Sequence, residues 1–156
     1  MRIVILTAAL LAVGLVRADD ADDAGAKLHE YFAVFNALDW DTVANDIYST
    51  PVHIGGGDSH QVLANPAAAV ENLVRLHEQI SAQGWNKSVI DDLQVCILSD
   101  TLALVDTRYS RITKDGEPIP PVVRTTLYVL QKIDNDWRII AFYGHEPGAR
   151  PNCAGG

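Results

Sequence analysis

The chain has 156 residues, with 20 acidic side chains against 12 basic ones and a formal net charge of −8. That balance excludes a nucleic-acid partner, because phosphate binding needs a basic footprint. The length suits one domain with a real core and not two.

Residues 1–18, MRIVILTAALLAVGLVRA, start with the basic Arg2, continue as an apolar run to Val16 and end in Val16-Arg17-Ala18. This is the pattern of a cleaved export signal. The run is too short to cross a membrane comfortably and is followed by acidic DDADD instead of basic anchoring residues. The expectation is an exported protein, periplasmic or secreted, with no stable membrane span in the mature chain. Removing the segment takes away two arginines and no acid, leaving 138 residues with a formal charge of −10.

Residues 19–25 are acidic and lack large apolar groups, so they read as a frayed lead-in. Over 27–38 the apolar Leu28, Tyr31, Phe32, Phe35 and Leu38 fall three or four apart, the spacing of one helix face. Asp39 caps a second, shorter helix with Trp40, Val43 and Ile47 on one face, stopped by Thr50-Pro51. A short strand over 52–54 runs into Gly55-Gly56-Gly57, with 61–63 as its partner. A third helix has Asn65 as cap, Pro66 in its first turn and Gly84 as stop, and its apolar face includes Val70, Leu73, Leu76 or Val74, and Ile80.

The period then changes. Segments 89–98, 101–112, 122–133 and 137–143 are rich in β-branched and aromatic residues and are separated by Ser99-Asp100, Asp115-Gly116 and Asp134-Asn135. They form an antiparallel meander that must bury one face, and the long helices are available to cover it. The fold class is therefore α+β, with a domain over 19–147 and a flexible tail over 148–156. Cys96 and Cys153 either pair in an oxidising compartment, tying the tail to a strand, or stay apart with Cys96 as a small buried hydrophobe. Without a CxxC spacing they do not suggest a redox enzyme.

Several side chains carry chemistry. His145 ends the last strand on the parity of Trp137, Ile139, Ala141 and Tyr143; if that parity faces the helices, its imidazole points to a pocket mouth, able to act as a base near neutral pH. His53 alternates with Val52 and Ile54, facing either pocket or solvent. His53, Asp58 and His60 are metal-ligand types, but their spacing matches no motif, so no metal site and no cofactor are assigned. GGGDSH lacks the lysine and the long helix of a phosphate loop. Asp106 alternates with Val105 and Thr107, as on a strand with one wet face, and a cross-strand pair with Arg124 would be notable if buried. On a concave face Asp106 becomes an alternative carboxylate base. Glu71 and His77 read as the wet face of the third helix. Asn86-Lys87-Ser88 has the glycosylation pattern, and there is no nucleophilic triad.

Three stretches carry a family resemblance: EYFAVFNALDWDTVANDIY at 30–48, NPAAAVENL at 65–73 and RTTLYVLQKIDNDWRIIAFYGHEP at 124–147. Together they resemble the nuclear-transport-factor-2-like (NTF2-like) superfamily, which includes ketosteroid isomerases, SnoaL-like polyketide cyclases and scytalone dehydratase. The resemblance implies a cone-shaped fold, three N-terminal helices against a curved, mostly antiparallel sheet, with a pocket between them. It also places Tyr31 where ketosteroid isomerases have the tyrosine that donates a hydrogen bond to the dienolate oxygen; its own sequence setting is that of a core aromatic. The isomerase base falls near Gly55 or Gly56, which have no side chain to serve, with Asp58 two or three residues away. The second acid falls near Thr125 or Thr126, so ketosteroid isomerisation as such is not implied.

The scaffold carries many functions. The favoured expectation is an exported domain that binds a small apolar molecule through Tyr31, His53, Arg124, Trp137 and Tyr143. The alternatives are a SnoaL-like lyase, isomerase or cyclase using Tyr31, His145 and Asp106 or Asp58, and a non-catalytic homodimeric assembly domain.

Overall fold

The computed structural model describes residues 9–153, with side chains from Asp19 onward. Within it α1 (Ala9–Asn36) runs through Ala18, the expected cleavage point, while residues 1–8 of the expected export segment lie outside the described residues. Among the described residues no helix is long and apolar enough to cross a membrane. Residues 19–25 are helical and packed where a frayed lead-in was expected: Ala24 is buried, Asp20 nearly so. The acidic stretch is held because the sheet offers it a counter-charge, Lys132 pairing with Asp20. Lys27 adds contacts to Glu30 at 2.9 Å and to Asp136 at 3.0 Å.

The helix ends two residues earlier than the apolar spacing suggests. Leu38 takes φ 61°, its N–H donates to Phe35 O at 3.0 Å, and Asp39 N–H donates to Val34 O at 3.2 Å. These are the two closing bonds of a Schellman cap, so Leu38 is the left-handed cap residue and lies exposed. Asn36 then pairs with the Ser88 backbone in both directions, at 2.8 and 2.9 Å, fixing the helix end to the sheet.

Asp39 caps α2 (Trp40–Thr42) by accepting from Thr42 N–H at 3.1 Å, and the chain continues as a π-helical turn over Val43–Ile47. Strands β1 (Tyr48–Gly56) and β2 (Ser59–Leu63) form the first hairpin, turning at Gly57 with φ 54°. Next comes α3 (Pro66–Ser81), whose cap Asn65 accepts from Ala68 N–H at 3.0 Å.

The meander is β3 (Lys87–Ser99), β4 (Leu102–Ile112), β5 (Arg124–Ile133) and β6 (Asp136–His145). Asp134 and Asn135 both take positive φ, the left-handed pair that a two-residue hairpin needs.

All six strands make one sheet in the order β2-β1-β6-β5-β4-β3. Every pairing is antiparallel except β1 with β6, which is parallel. Three helices against this mostly antiparallel sheet give the α+β cone that the resemblance implied. The core lies between them, with Leu28, Tyr31, Phe32 and Phe35 of α1 against Val105, Tyr128, Leu130 and Ile139 of the sheet.

One irregularity decides which side chains face that core. Val129 pairs with Ala141 and its neighbour Leu130 pairs with Ile139, so Ile140 is an extra residue, a β-bulge. Trp137 and Ile139 therefore share the concave face with Leu130, whereas Ala141, Tyr143 and His145 lie on the convex face. The single parity expected from Trp137 to His145 does not hold, because a bulge shifts a two-residue period by one.

Candidate functional site

Alternation along α1 and the sheet strands turns an aromatic set inward. The resulting cavity, about 110 Å³, is lined by Tyr31, Phe32, Phe35, Leu76, Ser88, Tyr109, Arg111, Thr126, Tyr128 and Phe142. Tyr31 is its centre: its ring lies 5.5 Å from Phe32, 6.0 Å from Phe35, 5.9 Å from Tyr48 and 5.8 Å from Tyr128. Tyr48 and Tyr31 share a hydrogen bond between hydroxyls at 3.3 Å.

Burial pushes the Tyr31 phenol up to about 12 and holds those of Tyr48 and Tyr128 well above the ordinary value. All three are thus neutral hydroxyls near neutral pH. None of the cavity-lining residues is an Asp, Glu or His.

Of the candidate catalytic and ligand-binding residues offered by the sequence, Tyr31 alone lines this cavity. Trp137 is buried on the same face, under the Lys132 ammonium at 4.8 Å, but packs in the core. Tyr143 lies on the convex face against Gly55, where an added Cβ would come within 3.0 Å of the tyrosine ring and 2.7 Å of Ser59 O. His53 is exposed with its ring 5.6 Å from that of His60, and Asp58 is exposed at the hairpin turn. No set of three or more His, Cys, Asp or Glu able to hold a metal occurs among the described residues. His77 is half-buried and not on a wet face, because its ring packs 5.7 Å from both Trp40 and Trp85.

The Asp106–Arg124 pair that the sequence left open does not form. Arg124 instead donates to the carbonyls of Ile119 at 2.9 Å, Pro120 at 2.9 Å and Pro121 at 2.5 Å, holding the loop before β5. Register explains this: Arg124 pairs with Tyr109, while Asp106 pairs with Leu127 on the opposite face.

Asp106 is fully buried on the convex face, accepting from Arg150 Nε at 2.5 Å, with His145 Nε2 2.6 Å from its other oxygen. The other ring nitrogen of His145 meets Glu146 O at 2.9 Å. Arg150 also pairs with Asp92, and hydrogen bonding to that guanidinium holds the Asp92 carboxyl below the usual range. Over its described residues the tail is thus held across β3 and β4 by Arg150 and by the disulfide bond between Cys153 and Cys96, where a flexible one was expected. The open groove at the rim, about 540 Å³, includes His145 and Arg124 and shares Tyr109 and Thr126 with the cavity.

Sequence reasoning offered none of Tyr109, Arg111, Tyr128 and Phe142 as site residues, and met Thr126 only as a position that lacks the family's second acid. A signal was present for two of them. Tyr109 and Arg111 continue the Ala103, Val105, Thr107 parity of β4, so a cation sits at the end of an otherwise inward-facing row. Phe142 was hidden by the bulge.

The comparisons agree with this architecture. No curated protein matches the chain. Among solved structures it resembles an NTF2-like protein with a cystatin-like fold from Novosphingobium aromaticivorans, with 12% identity over 90% of each chain and a TM-score of 0.71. It also resembles a ketosteroid isomerase-like protein from Erwinia carotovora atroseptica, with 17% identity, 82% of this chain and 98% of that one covered, and a TM-score of 0.58. A scytalone-dehydratase-like protein from Novosphingobium aromaticivorans gives 11% identity, 83% and 85% coverage, and a TM-score of 0.64. At such identities these likenesses show the fold alone. The family model described as NTF2-like protein (DUF6841) matches residues 21–147, nearly the whole described fold, and the chain belongs to that family.

Proposed function

We propose that this domain holds a compact small molecule in the cavity around Tyr31, as a binding domain and not a proton-transfer enzyme. The observation that carries the reading is the lining: aromatic walls, several hydroxyls and one guanidinium, with no carboxylate or imidazole. Proton abstraction needs a base within hydrogen-bond reach. Asp58 sits on an exposed turn, and Asp106 and His145 are engaged with each other on the convex face. The cavity is on the scale that accepts a benzene-sized body, about 150 Å³ in a well-studied apolar case, and is too small for a steroid. An exported setting accords with the Cys96–Cys153 bond, since disulfides persist in oxidising compartments.

The test fills the cavity. Phe142→Trp should abolish calorimetric binding of phenol-sized probes while leaving the fold intact by circular dichroism. If the wild type binds none of a panel of such probes, or if the filled variant binds them equally well, the reading fails.

A further inference from the structure

We infer that the molecule held in this cavity is a small organic carboxylate whose charged end pairs with Arg111. The inference rests on the cavity-binding reading above and adds the charge of the ligand. Arg111 lines the cavity from β4, and its Nε is shielded from solvent without a hydrogen-bond partner. Its guanidinium makes no ion pair among the described residues, although acids outnumber basic residues in this chain. Three other arginines are satisfied, Arg150 by Asp92 and Asp106, Arg138 by Asp136, and Arg124 by three loop carbonyls; Arg108 makes no ion pair either, but only in Arg111 is a guanidinium nitrogen both shielded and unpartnered among the described residues.

Leaving a shielded charged donor unpaired is costly, so its retention needs a partner that the chain does not supply. A carboxylate fits best, because its two oxygens match the guanidinium fork and form charge-assisted bonds. The surroundings favour that charge. Arg124, outside the cavity lining, is near enough that, after burial, the Arg111 charge is the next cause lowering its pKa, so a second cation adds to the positive potential around Arg111. Tyr31 and Tyr128, kept neutral by burial, have hydroxyls suited to donate to a ligand oxygen. Phe32, Phe35 and Phe142 provide an apolar wall for the rest of the molecule. Volume limits that body to roughly the size of a benzene ring.

The test uses the full chain and titrates acetate, butyrate and benzoate beside acetamide, butyramide and benzamide, with sodium phosphate as an inorganic control, by calorimetry. At least one carboxylate should bind at least tenfold more tightly than its amide and than phosphate. Arg111→Gln should remove that preference, Arg111→Lys should keep part of it, and Arg75→Gln, at an exposed arginine, should leave it unchanged.

Thermal unfolding separates this role from a structural one. Arg111→Met should leave the Tm of the ligand-free protein unchanged or raised, because it removes an unpaired donor; a clear fall would make Arg111 a structural residue and overturn the proposal. Amides binding as well as carboxylates, or phosphate binding as well as either, would sink the carboxylate assignment and leave the cavity-binding reading standing. Failure of every probe, charged and neutral, would sink both.

Discussion

Leu38 shows how a single side chain can be at odds with its backbone. The Schellman geometry at the end of α1 needs a left-handed residue, and a side chain with a Cβ raises the energy of that conformation by about 1 kcal/mol. Because Leu38 is exposed, little burial is lost with it. Leu38→Gly should therefore stabilise the protein by up to about 1 kcal/mol, the gain being reduced by glycine's larger unfolded-state entropy. Urea unfolding measures this directly, and a loss of stability would mean that the leucine side chain packs in solution. Sequence periodicity assigned Leu38 to the helix face because three- and four-residue spacing counts apolar residues without sensing φ. The same counting read Tyr31 correctly as an inward aromatic, because its position depends on helix phase alone.

Strand by strand, the elements were legible wherever a turn signal bounded them and illegible where register was interrupted. Asp134-Asn135 set the last hairpin, but nothing in 136–145 announces the bulge at Ile140, since a bulge is a property of two strands together. That one residue moved His145 and Tyr143 to the outside. Cross-strand register also decided the fate of Asp106, which the sequence could only offer as wet or buried.

The tail makes Asp106 tolerable. Removing Arg150 leaves the buried Asp106 with His145 as its remaining side-chain partner, so Arg150→Ala should destabilise the protein by up to about 3 kcal/mol. The double variant Arg150→Met with Asp106→Leu should recover most of that loss. Chemical denaturation of the three proteins checks both statements; equal stability of Arg150→Ala and wild type would show that the tail lifts and water takes over from Arg150.

At the scale of the whole molecule, three phenols in one core make stability depend on alkaline pH. Each titrates higher when folded than when unfolded, so the unfolded chain loses its protons first. Stability is therefore full below about pH 10 and falls as pH rises toward about 12, with Tyr31 alone contributing about 3 kcal/mol over that window. Lys27 acts in the same direction: burial opposes its charge, but hydrogen bonds to Glu30 and Asp136 outweigh burial and raise its pKa. Urea unfolding at successive alkaline pH values should show the decline beginning near pH 10; a flat profile across that window would mean that the tyrosine hydroxyls meet water in the folded state.

The parallel seam between β1 and β6 bears on the order in which the molecule assembles. The hairpins β3–β4, β4–β5 and β5–β6 join neighbours in sequence and close small loops. By contrast, Tyr48 must find Ile139, and Gly56 must find Gly144. Long-range pairing carries the larger loop-closure entropy. The β1–β2 hairpin is therefore the late-docking part of the sheet and the first to detach. A chain emerging from a ribosome or a translocation channel can pair β1 with β2 early, but the other edge of β1 stays open until β6 arrives.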